Sequence, residues 1–296
     1  MSPAGPGRGW TGPRHLIVQG RRNVSRGVGT LTGADRKRSP DGGRGAPAPT
    51  LPAMVLDMAA DRGTLAVFGD SIANGLGVAE GRYAVTLANR WGLELEDWSV
   101  TAGMVTGALD RLPANSAPQV TIIAHGITEA IVRPSEASLR LLPKRWRRPG
   151  WMDPRPYFST RWRRRVLERI ESGVRWRVKN VAIRMGATTQ FVPVASFDRA
   201  LRATIAELHR RGARVIVLGA PDLDERFFPG SPRELQEYGV VAQSAASDLG
   251  ATWVPLAGEL SRWSDFFADH FHPNQEGHNR IASTIERYFQ LGPGNG

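Results

Sequence analysis

From Thr64 onward, short and wholly apolar runs alternate with segments whose apolar residues recur every three or four positions. Leu65-Ala66-Val67-Phe68 reads as a buried strand that runs into Gly69-Asp70-Ser71. The pattern then predicts a helix over 82–92, a strand over 93–100, a helix over 104–112 and a strand over 120–124. After an arginine-rich interval, Phe197–Arg211 has helical spacing, with Leu201, Ile205 and Leu208 on one face and Gly212 as its stop. A strand over 215–218, a helix over 231–249, a strand over 252–254 and a closing helix over 273–289 complete the series. Strands that are all apolar and alternate with helices belong in a parallel sheet covered on both faces. The expectation is an α/β protein, a three-layer α/β/α sandwich around a five-stranded parallel sheet.

Residues 1–60 show neither periodicity and are rich in Gly, Pro, Arg and Ser. Such a segment cannot bury enough surface to offset its ordering entropy, so it is expected to be a disordered basic tail ahead of one domain over 61–290. Met54 and Met58 lie just before the first strand, and either would serve as an alternative start. The formal charge of +11 is unevenly distributed. Residues 1–57 carry +6, residues 140–179 carry +11, and the remainder, which holds the motifs below, carries −6. There are no cysteines, which excludes disulfides and thiolate chemistry. No apolar run approaches the roughly 18 residues of a spanning helix, and no signal peptide is visible, so a cytoplasmic location is expected.

In open α/β sheets ligands bind beyond the carboxyl ends of the strands. Ser71 falls there after the first strand, Gly103 after the second, Gly126, Thr128 and Glu129 after the third, and Asp269 and His272 before the last helix. A serine hydroxyl needs a base of pKa near 7, and that base needs an acid to fix its tautomer. Asp269 and His272, three residues apart, can supply both. Glycine near the reacting carbonyl lets a backbone N–H approach a developing oxyanion.

Gly69-Asp70-Ser71, Gly103, and Asp269-His270-Phe271-His272-Pro273-Asn274 with Gly277-His278 together resemble the sequence blocks of the SGNH/GDSL hydrolases, in that family's order, over roughly residues 64–289. The resemblance implies a flavodoxin-like sheet, a serine esterase and no cofactor or metal. Ser71 would be nucleophile and first oxyanion donor, Gly103 the second donor, Asp269 the orienter and His272 the base. The third block departs from the family, because Gly126-Ile127-Thr128 carries Thr128 where the family has an asparagine that donates to the oxyanion. Loss of such a donor costs about 10²–10³ in rate. Thr128, His125 or a residue of the insert is then the candidate substitute, and Gly126 belongs with them in the expected oxyanion or substrate-binding loop. Divergent branches of the family associated with bacterial polysaccharide or secondary-metabolite pathways share this departure.

The substrate is therefore expected to be a small-molecule or carbohydrate ester, cleaved through an acyl-enzyme. An acyltransferase on the same site and a weakly catalytic binding protein of the same fold remain alternatives. A nucleotide binder lacks its Gly-x-Gly-x-x-Gly loop and an α/β-hydrolase its Gly-x-Ser-x-Gly elbow. His270 reads as solvent-facing, and His125 and His278 as packed or locally bonded residues. The insert over 134–190 interleaves Trp146, Trp151, Trp162 and Trp176 with arginines. Trp162, Val166, Ile170, Val174 and Val178 form an i, i+4 stripe on a helix. It reads as a lid packed over the site, or as a contact for an anionic substrate or a membrane surface. Nucleic acid is not expected, since no recognised binding module is present, and the pattern does not fix the oligomeric state. Removal of residues 1–58 is expected to leave the thermal midpoint and ester hydrolysis unchanged, and loss of solubility or activity would refute the reading of the tail.

Overall fold

The computed structural model describes residues 63–78, 81–140, 162–186 and 188–290. By its contacts the chain divides into Met1–Ala53 and Met54–Gly296; every described residue belongs to the second unit, and the tail expected over 1–60 lies outside the described residues.

In chain order the elements are β1 (Thr64–Gly69), α1 (Tyr83–Trp91), β2 (Glu94–Asp97), a 3₁₀ turn (Val105–Gly107) running into α2 (Ala108–Arg111), and β3 (Val120–Ala124). Then come α3 (Ile127–Ala130), β4 (Arg133–Pro134), α4 (Glu136–Arg140), α5 (Trp162–Arg184) and β5 (Thr188–Thr189). The series ends with α6 (Val194–Arg210), β6 (Arg214–Leu218), α7 (Ser231–Asp248), β7 (Thr252–Val254) and α8 (Gln275–Gln290). The main sheet has the order β2-β1-β3-β6-β7, with every pairing parallel. This is the five-stranded α/β arrangement expected from the apolar runs.

Side chains alternate across each strand, so an all-apolar run feeds two cores. Leu65, Val67, Ile122 and Ile216 point to the face covered by α1 and α8, where they meet Leu87 and Ile281. Ala66, Phe68, Ile123 and Val217 point to the other face and meet Phe197, Leu201, Ile205 and Leu208 of α6. Helix ends follow local chemistry. Gly92 closes α1 at φ 66°, and the Asn274 side chain opens α8 by accepting the Glu276 and Gly277 N–H groups at 2.9 and 3.1 Å.

Three expectations are corrected. The strand expected over 93–100 ends at Asp97, whose carboxylate accepts the Ser99 N–H at 2.9 Å and turns the chain, although Trp98 and Val100 still donate to Val67 and Gly69 of β1. The helix expected over 104–112 is only a 3₁₀ turn and one α turn, because Leu112 takes the extended conformation that Pro113 imposes. The apolar stripe of the insert helix is not its packed face. On α5, Val166 is 48%, Ile170 61% and Val174 43% exposed, while Trp176, Lys179, Asn180 and Ile183 turn inward. Polar anchoring decides this: Trp176 Nε1 and Asn180 Nδ2 both donate to the Phe227 carbonyl, at 3.0 and 3.4 Å. The insert is also pinched at its neck by a ribbon unanticipated from the pattern, with Arg133 opposite Thr189 and Pro134 opposite Thr188.

Among the described residues no helix is long and apolar enough to cross a membrane. Ile205→Ala is expected to lose about 2–5 kcal/mol in urea denaturation, the usual cost of emptying a packed core site. Ile170→Ala is expected to stay within about 0.5 kcal/mol of the parent, and a comparable loss at both positions would mean that the outer face of α5 is covered in solution.

Candidate active site

Ser71 leaves the carboxyl end of β1 on a tight turn. The Asp70 carboxylate accepts the Ile72 N–H at 2.9 Å, and the Asp70 carbonyl accepts the Asn74 N–H at 3.0 Å. The turn folds straight back on the sheet, so a Cβ on Gly69 would stand 2.4 Å from Ala73 Cβ and 2.9 Å from the Ala124 carbonyl. Only glycine fits there. The backbone N–H of Ser71 has no acceptor among the described residues.

The segment ahead of α8 brings the acid and the imidazole to the same point. His272 Nε2 lies 3.0 Å from Ser71 Oγ, and His272 Nδ1 lies 2.6 Å from Asp269 Oδ2. The other Asp269 oxygen accepts the Phe271 and His272 N–H groups, both at 3.0 Å. Burial alone would raise the Asp269 pKa, but the His272 hydrogen bond and charge and these N–H groups outweigh it and hold the carboxyl below its ordinary value. An ionised Asp269 puts the proton on Nδ1, which leaves Nε2 as the acceptor for the serine hydroxyl.

The segment itself is held by Asp265, fully buried, which accepts the Ser261 N–H and the Ser264 hydroxyl at 2.7 Å each and pairs with Arg280 at 3.0 Å. His270, expected to face solvent, is instead half-buried, stacked on Phe227 at 4.2 Å and edge-on to Trp263 at 5.2 Å. Its φ of 53° turns it there between the two catalytic candidates. His278 packs on Tyr83 and accepts that residue's N–H at 3.3 Å, and burial, Arg82 and His272 push its pKa down to about 4.

The residues expected around the oxyanion are less available than the sequence suggested. Thr128 donates its hydroxyl proton to Asp70 Oδ2 at 2.8 Å and therefore has none to offer a substrate in this arrangement. The Gly126 N–H donates to Glu129 Oε2 at 2.9 Å; its φ of 129° accounts for the glycine. The Gly103 N–H donates to the Val100 carbonyl at 2.6 Å. Glycine is needed there for close approach, because a Cβ would lie 2.7 Å from Val100 O and 2.8 Å from Gly69 O.

Two acids whose roles were not legible in the motif hold this side together. Asp70 ties the first block to the third through Thr128. Glu129, wholly enclosed, accepts the Gly126 N–H and, at 2.7 Å, the Val105 N–H just past Gly103. Burial raises the pKa of both, opposed by these hydrogen bonds, and carries Glu129 to about 7. Beside them His125 meets Arg111 Nη2 at 3.2 Å; burial and the guanidinium push it down to about 3, against a smaller opposing effect of the Gly103 carbonyl. His125 is thus neutral and its Nε2 an acceptor, which removes that nitrogen from the candidate oxyanion donors.

A hydroxyl, an imidazole and a carboxylate in sequence at the carboxyl edge of a parallel sheet define the class of serine-hydrolase-like α/β proteins. The model of the GDSL-like lipase/acylhydrolase family matches residues 67–280, and the chain belongs to that family and is an ester-hydrolysing enzyme. No curated protein matches the chain. Among solved structures, TesA is 18% identical over 77% of this chain and 98% of its own, with a TM-score of 0.50. LAE5, an alpha/beta hydrolase enzyme from the metagenome of Lake Arreo, Spain, is 14% identical over 78% and 97%, also with a TM-score of 0.50. Axe2 from Geobacillus stearothermophilus, an acetylxylan esterase, is 15% identical over 76% and 94%, with a TM-score of 0.49. At these identities TesA and LAE5 speak for the fold alone.

Glu129 gives the site a testable pH signature. Its folded pKa of about 7 stands above the ordinary 4.5, so its contribution is fully present below pH 4.5 and is lost as pH rises through 7. Relative to the wild type, Glu129→Gln is expected to gain stability steadily between those pH values in urea titrations. Parallel pH profiles for the two proteins would show that another group titrates.

Proposed function

We propose that this enzyme cleaves a small carboxylic ester, of a metabolite or a carbohydrate, through an acyl-enzyme on Ser71. The observation that carries the reading is the continuous line from Ser71 Oγ through His272 to Asp269, at 3.0 and 2.6 Å. His272 Nε2 removes the hydroxyl proton as Oγ attacks the ester carbonyl, and Asp269 stabilises the imidazolium that forms. Collapse of the tetrahedral intermediate breaks the ester bond, and the alcohol leaves with the proton from Nε2. Water, deprotonated by the same nitrogen, then hydrolyses the acyl-serine and restores the hydroxyl.

The oxyanion is met first by the Ser71 N–H, the donor without a competing acceptor. Gly103 contributes only if its N–H exchanges the Val100 carbonyl for the substrate, a bond that must be given up before the new one forms. The expected substitute for the family asparagine is accordingly not the Thr128 hydroxyl. That proton maintains the Asp70 bridge instead, and the reading rests on backbone donors.

Hydrolysis of p-nitrophenyl esters from acetate to octanoate tests the assignment. Ser71→Ala and His272→Ala are each expected to lose on the order of 10⁶ in kcat, keeping only the residual catalysis of binding and the oxyanion donors, and Asp269→Asn to lose about 10⁴. Full activity in Ser71→Ala would refute the nucleophile.

A further inference from the structure

Two cations, the buried Lys179 and the half-buried Arg133, stand near this site with no counter-charge among the described residues. Arg133 lies on β4, seven residues past Gly126, and Lys179 lies on the inward face of α5. Lys179 is only 4% exposed, and its ammonium sits 5.8 Å from the Phe228 ring. Arg133 stacks its guanidinium 3.5 Å from the centre of the Phe191 ring, and its Nε is buried with no acceptor. Among the described residues no carboxylate reaches an ion-pair distance from either group, and neither donates a hydrogen bond to protein. The location is catalytic in neighbourhood: Phe228 packs on Phe271 at 5.7 Å, and Phe271 on His272 at 4.8 Å. Two rings therefore separate the Lys179 ammonium from the imidazole.

Buried charges are as a rule paired, because desolvation is costly unless an opposite charge compensates it. A buried ammonium facing a half-buried guanidinium is the less favourable case, and it is what an anion would relieve. We infer that Arg133 and Lys179 form an anion-binding subsite that receives a carboxylate or phosphate group carried by the ester substrate. This rests on the esterase reading above and adds the chemical class of the substrate. The Arg133 guanidinium carbon stands 3.5 Å from the centre of the Phe191 ring; a guanidinium can hold an anion through two parallel N–H groups, and the ammonium adds a second charged donor. The cost of burial is visible in both groups. Burial lowers Arg133 to about 10, and burial together with repulsion from Arg133 lowers Lys179 to about 7. An arriving anion would raise both and bind more tightly for it.

The first test uses inorganic phosphate and does not depend on turnover. Phosphate is expected to raise the thermal midpoint of the wild type and of Ser71→Ala alike. Lys179→Met and Arg133→Met are each expected to weaken phosphate binding about tenfold or more by calorimetry, the loss of one charge-assisted contact. The exposed Arg199→Gln serves as a control that retains it. Replacing an unpaired buried cation by an apolar chain of similar length is not expected to unfold the protein, and Arg133→Gln provides a second, polar variant. Absence of any phosphate effect, or an effect that survives in both single variants, would overturn the subsite, whatever became of Ser71.

Kinetics then locates the anion on the substrate. A preference for p-nitrophenyl hemiglutarate over p-nitrophenyl butyrate places it on the acyl side. A preference for 4-acetoxybenzoate over its methyl ester places it on the alcohol side. Either preference is expected to shrink in Lys179→Met, and preference for neither would overturn the assignment of the subsite to the substrate.

Discussion

The Asp70 carboxylate is the interaction on which the arrangement around Ser71 depends. It is 1% exposed, one oxygen holds the Ile72 N–H, and the other accepts the Thr128 hydroxyl. The first contact bends the chain out of β1 so that Ser71 is presented at the sheet edge. The second ties that turn to the loop after β3. A protein without cysteines has no covalent means of fixing such loops, and a buried carboxylate with both oxygens occupied is a rigid substitute, since each lost bond would leave an unsatisfied polar group costing roughly 1–3 kcal/mol.

Glu129 repeats the device one loop away, joining the Gly126 N–H to the Val105 N–H. Three carboxyls therefore converge near Ser71, and their environments separate them. Asp269 is held below its ordinary pKa by His272, whereas Asp70 and Glu129 are raised by burial. Asp269, held low, keeps its negative charge beside the imidazole, where it stabilises an imidazolium. Glu129, about half protonated near pH 7, puts less negative charge against a developing oxyanion than a full carboxylate would. Neutral His125 and His278 add no positive charge that would compete for Asp269.

The fold was legible in the chain because β1, β3 and β6 are buried on both faces and so read as apolar runs, interrupted in β3 only by the buried Thr121. The candidate site was legible because a serine, an aspartate and a histidine at strand ends constrain one another chemically. What escaped was decided by tertiary partners. Thr128 was read for its hydroxyl, and only the neighbouring Asp70 shows where that hydroxyl points. His270 carries no signal of its own; its burial comes from the Trp263 ring on the preceding loop and from Phe227, 43 residues earlier. The two-residue strands β4 and β5 are too short for any periodicity to announce them.

The insert helix inverts the usual rule that the apolar stripe packs and the charged face meets water. Here Val166, Ile170 and Val174 face outward, and Lys179 and Asn180 face in. Trp176 and Ile183 supply the apolar part of the inward face, and Trp176 meets the Phe227 ring at 5.5 Å. The inward face is chosen by bonds to one carbonyl, that of Phe227, which in turn stacks on His270 next to Asp269. The helix thus reaches the acid of the site through a single aromatic contact, and its orientation brings Lys179 toward Arg133 despite their repulsion. Stability alone would favour an apolar residue at 179. A charge kept there at that cost has its compensation in what the site binds.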